Sequence, residues 1–149
     1  MNYELIMLRE AVRMKRSANV LKNEINLVAP RSYVSDNWRD GTIGQMLEIC
    51  NLQRQIAVYE KYYDTVIRAL KHVPKGYRAL LVAIYLKNTD KEQIVQKYKV
   101  SVSTIYRKLC LARKLFLKRL YIIGCTESWF LDNFGDIDLH KQHQSRKKA

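Results

Sequence analysis

A chain of 149 residues, 48% of them apolar, has room for one domain with a real core or for two small helical units, and is too short for a large enzyme with an elaborated pocket. Only 5 glycines and 2 prolines punctuate it, too few for a many-stranded fold, so an all-α chain is predicted. The net charge of +13 fits a polyanionic partner or a solvated basic surface.

From about Tyr3 onward, Met7, Ala11, Met14, Ala18, Leu21, Ile25 and Val28 recur at alternating spacings of four and three, which is one seam of a helix. Arg9, Arg13, Arg16 and Lys22 fall off that seam, in solvent. Ala29-Pro30 is expected to stop the helix, because proline pushes its predecessor out of the helical region. The polar segment RSYVSDNWRDG, 31–41, reads as a loop, with Trp38 folded back over the hairpin end or anchoring a partner. A second helix should start at Thr42, whose spacing to Gln45 fits a capping box. Along it Ile49, Leu52, Ile56, Tyr59, Tyr63, Val66 and Leu70 repeat at three and four. Two such seams joined by a modest loop predict an antiparallel helical hairpin over 1–72, serving dimerisation or partner binding. The alternative is a monomer that packs the hairpin on its own C-terminal half.

Val73-Pro74 opens a second unit, 73–122, since proline suits the first turn of a helix. Its run GYRALLVAIYLK, 76–87, is apolar round most of a helix and is expected to be a buried core. Asn88 suits the left-handed position that closes a helix. Then DKEQIVQKYKVSVSTIYRKL, 90–109, has the form of two short helices joined by a tight turn. Asp90 with Gln93 is favoured over Thr89 with Glu92 as the capping box of the first; Ile94, Val95 and Tyr98 face the core. Ser101 caps the second, which continues to about Tyr121. Ile105, Leu109, Ala112 and Leu115 or Phe116 turn inward, while Val102, Ser103, Tyr106, Arg107 and Cys110 turn outward. A helix-turn-helix offers itself to a DNA groove in this way.

The charge is concentrated in the same place. Residues 73–121 hold 12 basic and 2 acidic side chains, against 11 and 8 over 1–72 and 4 and 4 over 122–149. Such a patch binds nucleic acid through phosphate neutralisation and counterion release. The closing stretch, 123–149, reads as a partly disordered tail: ESWFLDNFGDIDLH, whose Trp129, Phe130 and Phe134 dock on the chain's own core or on a partner, then the basic KQHQSRKKA.

No constellation for catalysis emerges. His72, His140 and His143 lack metal-site spacing, there is no glycine-rich phosphate loop, and no nucleophile motif surrounds a Ser or Cys, so the expectation is a non-enzyme without cofactor or metal. Cys50, Cys110 and Cys125 are odd in number and far apart, which suggests neither a disulfide framework nor a zinc site and favours a reducing, cytoplasmic setting. The opening MNYELIMLRE carries no basic leader, and the longest apolar run, Ala79 to Leu86, is too short to span a bilayer; no membrane association is expected.

From Val73 to about Leu120 the chain resembles the promoter −35-binding region 4 of bacterial sigma factors, in VPKGYRALLVAIYLKN with its Pro–aromatic–Arg opening, in the capped helix of DKEQIVQKYKVSVSTIYRKL, and in the V-S-x-S-T-I core of turn and second helix. The resemblance implies base contacts in the major groove from Val102, Ser103, Tyr106 and Arg107 and phosphate contacts from Lys99, Thr104, Lys108 and Arg113; Ser101 joins the first set, and Lys91 and Lys114 the second, as further expected contacts. Two positions depart from the family pattern: Val95 replaces a small residue at the helix crossing, and Lys99 replaces the glycine of the turn. The layout as a whole is similar to phage-encoded transcriptional regulators of the ArpU and RinA type. A sequence-specific regulator binding double-stranded DNA is therefore expected, phage or prophage encoded and homodimeric, with recognition helix 101–115 and RNA polymerase as a further candidate partner. Two rivals are a small-terminase-like DNA-packaging protein, in which the hairpin usually follows the DNA-binding unit, and a sigma-like adaptor that binds RNA polymerase.

Overall fold

The computed structural model describes the backbone of residues 2–31 and 38–135, and the side chains of 2–27 and 43–135. All elements among these residues are helical, as the scarcity of turn formers requires: α1 (Tyr3–Arg31), α2 (Trp38–Lys71), α3 (Lys75–Leu81) continued by a π-helical turn over Val82–Leu86, α4 (Lys91–Tyr98), α5 (Val102–Ile122) and α6 (Glu127–Phe134).

Both long helices outrun their expected limits. α1 passes Val28 and continues through Pro30 to Arg31; the missing proline N–H removes one bond of the final turn, a loss that a 29-residue helix absorbs. α2 begins at Trp38, so the Thr42–Gln45 pair is not its N-terminus. Gly41 and Gly44 oppose helix there, by about 1 kcal/mol each, and a long helix with a buried face tolerates that. Of the expected loop, only 32–37 fall outside the described residues.

Two compact units result, and they differ from the expected division at 72 and 122. One comprises Val12–Tyr63; the other joins Met1–Ala11 to Asp64–Ala149. In the first, Met14, Ala18 and Ile56 are buried while Leu21, Ile25, Ile49 and Leu52 are only partly so. Lys22 pairs with Glu60, and the Lys15 ammonium lies 5.5 Å from the Tyr63 ring centre, so the partner's number falls as that of α1 rises. Of the two adjacent tyrosines it is Tyr62, off the seam, that is fully buried.

The second unit explains why the first three turns of α1 belong with the C-terminal half. Met7, Leu8 and Ala11 are fully buried in it, the Tyr3 hydroxyl donates to the Cys125 carbonyl at 3.0 Å, and the Cys125 thiol meets the Met7 sulfur at 3.8 Å. α5 ends on a left-handed Gly124 at φ 90°, closed by the Cys125 N–H on the Leu120 carbonyl (2.8 Å) and the Gly124 N–H on Tyr121 (3.1 Å). That corner reverses the chain into α6, whose N-cap Thr126 accepts from the Trp129 N–H at 3.3 Å. Phe130 and Phe134 are fully buried, their ring centres 5.9 Å apart, with Phe130 5.8 Å from Tyr3. The tail expected from 123 is therefore folded core as far as Gly135; its basic end, with His140 and His143, lies outside the described residues. Burial pushes the Tyr3 phenol from 10.0 to about 12, with Cys125, Glu4 and Glu127 adding to the effect, and pushes the Cys125 thiol from 9.0 to about 12.

α3 starts after Pro74 and packs against α5. Its expected continuation as a buried helix to Lys87 is not what forms: Leu80 and Leu81 are buried, but Val82–Leu86 wind as a π turn and stay partly exposed. The Lys87 N–H reaches back five residues to the Val82 carbonyl at 2.9 Å, and Asn88, left-handed at φ 49°, brings the Thr89 N–H onto Ala83 at 2.8 Å. The wider turn is how this apolar run closes at Asn88.

Candidate nucleic-acid interface

α4 and α5 both pack within the C-terminal unit, and α5 is its axis. Asp90 occupies the N-cap position of α4 with extended backbone, the register expected for it, but its side chain makes no capping bond. Ile94 is buried and Val95 partly so. Tyr98, expected in the core, is 47% exposed. It stands at the rim of a cavity of about 190 Å³ together with Tyr77, Leu80, Val100, Ile105 and Lys108. α4 ends on Lys99, whose φ of 53° and ψ of 41° are left-handed, so this position takes the conformation that glycine would adopt freely. Ser101 then caps α5: its Oγ accepts from the Thr104 N–H at 3.3 Å and shares a hydrogen bond with the Thr104 hydroxyl at 2.9 Å.

From that cap the helical period divides α5 into two faces. Ile105, Leu109, Ala112, Phe116 and Leu120 are buried, with Phe116 rather than Leu115 as the fourth. Ser101, Val102, Ser103, Tyr106, Arg107 and Cys110 are exposed, Val102 and Tyr106 by about half. All five expected base-contact residues are exposed, and Val102, Ser103, Tyr106 and Arg107 share the outward side of the first turns of the helix, whereas Ser101 precedes it as the N-cap with its Oγ turned onto Thr104.

The expected phosphate set does not stay together. Lys99, Lys108 and Lys114 are exposed. The Thr104 hydroxyl is engaged by Ser101. Arg113 is partly buried with its Nη2 3.7 Å from the Glu4 carboxylate, and its Nε is buried without a hydrogen-bond partner. Its guanidinium turns toward Glu4 on α1 and keeps only part of its surface in solvent, because position 113 neighbours the buried Ala112 and Phe116. Lys91 is also partly buried: its Nζ donates to the Tyr106 hydroxyl at 2.8 Å and sits 4.2 Å from that ring's centre. Fifteen residues separate the pair, and only the folding of α4 onto α5 brings them together, so no local pattern announces the contact.

Among the described residues no three His, Cys, Asp or Glu side chains gather to hold a metal ion, and no helix is long and apolar enough to cross a membrane. Cys50 and Cys110 are exposed and Cys125 is buried. No family model, curated protein or solved structure matches the chain.

Proposed function

We propose that this chain is a sequence-specific regulator of transcription that binds double-stranded DNA, with α4, the turn at Lys99–Val100 and the first turns of α5 acting as a helix-turn-helix of the sigma region 4 kind. The observation that carries the proposal is the outward stripe of Val102, Ser103, Tyr106 and Arg107 on a helix capped by Ser101 whose opposite face is core. A helix of this kind fits the major groove, where Arg107 suits the paired acceptors of guanine and Val102 a thymine methyl. Lys99, Lys108 and Lys114 supply affinity and register on the phosphates. The Val12–Tyr63 unit leaves Val20, Met46 and Leu47 between 56% and 62% exposed, an apolar surface suited to a second copy. A phage-type regulator, homodimeric and acting on DNA beside RNA polymerase, is the context these features favour.

Fluorescence anisotropy on a site selected from random DNA tests the proposal. Arg107→Ala should lose about 1–3 kcal/mol on that site and relax preference at one base pair. Lys108→Ala should weaken cognate and random duplexes alike and flatten the dependence of log K on log salt by about 1, from a slope of about −3 per subunit set by three phosphate contacts. Equal losses on cognate and random DNA for Arg107→Ala would remove that residue from base readout. Light scattering that returns a monomer, free and on DNA, would remove the second copy.

A further inference from the structure

We propose that Lys91 is a positioning residue that makes Tyr106 a hydrogen-bond donor toward the base edge, so that the base it meets carries an acceptor, a purine N7 or O6 or a thymine O4, and not the N4 amino group of cytosine; this rests on the groove-facing role of α5 proposed above.

The chemistry follows from what each group can do. A lysine ammonium has three donors and no acceptor, so in the 2.8 Å contact with the Tyr106 hydroxyl it is the phenol oxygen that accepts. The hydroxyl's own hydrogen must then point elsewhere. Tyr106 is 50% exposed on the outward stripe, between Val102 and Arg107 in sequence, so its hydroxyl remains open to a partner other than Lys91. Charge-assisted contacts of this type are stronger than neutral ones, and the ammonium gains further from lying 4.2 Å from the ring centre. The phenol is thereby fixed in place before DNA arrives. An unpaired tyrosine hydroxyl is ambidextrous and would accept from cytosine N4 as readily as it donates to a purine. With one lone pair held by the ammonium and the O–H left to donate, Tyr106 favours an acceptor over a second donor. Lys91, first residue of α4, thus acts on the base through Tyr106 and needs no phosphate of its own.

The test uses the full chain and a duplex selected from random DNA, with each base pair varied in turn by competition. The unmodified chain should disfavour cytosine at one position by roughly tenfold. Tyr106→Phe should abolish that preference. Lys91→Met, which keeps the apolar stem and removes the ammonium, should reduce it to about twofold or less with the salt slope unchanged, and should have no further effect in the Tyr106→Phe background. Replacing the opposed purine by its 7-deaza analogue should weaken binding of the unmodified chain and leave Tyr106→Phe unaffected wherever N7 is the acceptor. If Lys91→Met instead weakens cognate and random DNA by the same factor and flattens the salt slope by about 1, Lys91 is a phosphate contact and the proposal is overturned. Base preference that depends on Arg107 but is indifferent to Tyr106→Phe and Lys91→Met overturns it alone. A chain with no base preference at any position overturns the DNA-binding proposal and this one with it.

Discussion

Lys99→Gly should stabilise the protein, although it removes a side chain from an exposed turn. Lys99 holds φ 53° and ψ 41°, where a residue with a Cβ pays about 1–2 kcal/mol relative to right-handed backbone. Glycine avoids that strain but surrenders more freedom on folding, by roughly 0.5–1 kcal/mol. The backbone contribution is thus a net gain of about 0.5–1 kcal/mol. Lysine at a helix C-terminus also favours the macrodipole by a few tenths of a kcal/mol, and any substitution loses this. The informative comparison is therefore Lys99→Gly against Lys99→Ala, which both lose the charge and differ only at Cβ. Thermal and urea melts followed by circular dichroism should place the glycine variant above the alanine variant by about 1–4 °C, with equal m-values. Both variants should lose the same factor in DNA affinity. Coincident melts for the two variants would refute the claim that left-handed strain is stored at this turn.

Gly124→Ala makes the opposite change at the end of α5: φ 90° strains any L side chain, and although a Cβ there would meet nothing within 4 Å, chemical denaturation should register a loss of about 1 kcal/mol or more. Phe130→Ala should cost about 3–5 kcal/mol, since its ring is fully buried against Tyr3 and Phe134; a melt shifted by less than a degree would mean that α6 does not belong to the core. Alkaline stability should decline between about pH 9 and 12. The folded-state pKa values of Tyr3 and Cys125 lie above their unfolded values of 10.0 and 9.0, so their contribution is complete below pH 9 and is lost as pH rises toward about 12. Tyr3→Phe with Cys125→Ala should flatten that decline in urea midpoints measured across the interval, and an unchanged pH dependence would refute the assignment.

What was legible in the sequence was what local chemistry decides. Ser101 before an apolar stripe marks the start of α5, Asn88 marks a left-handed closure, and the spacing of Ile105, Leu109 and Ala112 marks the buried face; each signal lies within a turn or two of its effect. α6 escaped because eight residues hold barely two apolar repeats, and its Thr126 cap resembles any loop threonine. The π turn has no compositional mark, since a bond to the fifth residue back is made by backbone alone. The unit boundary was beyond local reasoning: Tyr3 and Cys125 lie 122 residues apart, and their contact depends on where the Gly124 corner delivers the chain. The same holds for Lys91 and Arg113, which as isolated cations look like phosphate ligands.

Those two cations alter how the basic charge should be understood. Twelve basic residues over 73–121 invite the view that each serves a polyanion. Yet Arg113 is beside Glu4, Lys91 is on Tyr106, the Arg78 guanidinium donates to the Lys71 carbonyl at 3.3 Å, and Lys97 lies 5.8 Å from the Tyr98 ring centre. Lys91 and Arg113 are partly buried and engaged in the free protein, so using either for DNA would require breaking an existing contact, whereas the contacts of Arg78 and Lys97 are exposed and weak. Lys99, Lys108 and Lys114 face no such loss among the described contacts and flank the same helix that carries the outward stripe. Under the proposed function, affinity would rest on a few solvated lysines whose effect salt screens, and specificity on Val102, Tyr106 and Arg107, which lie on the helix whose other face is core. The buried half of the helix, from Ile105 to Leu120, is what makes that separation possible, because it keeps the outward stripe in one register whether or not any phosphate is bound.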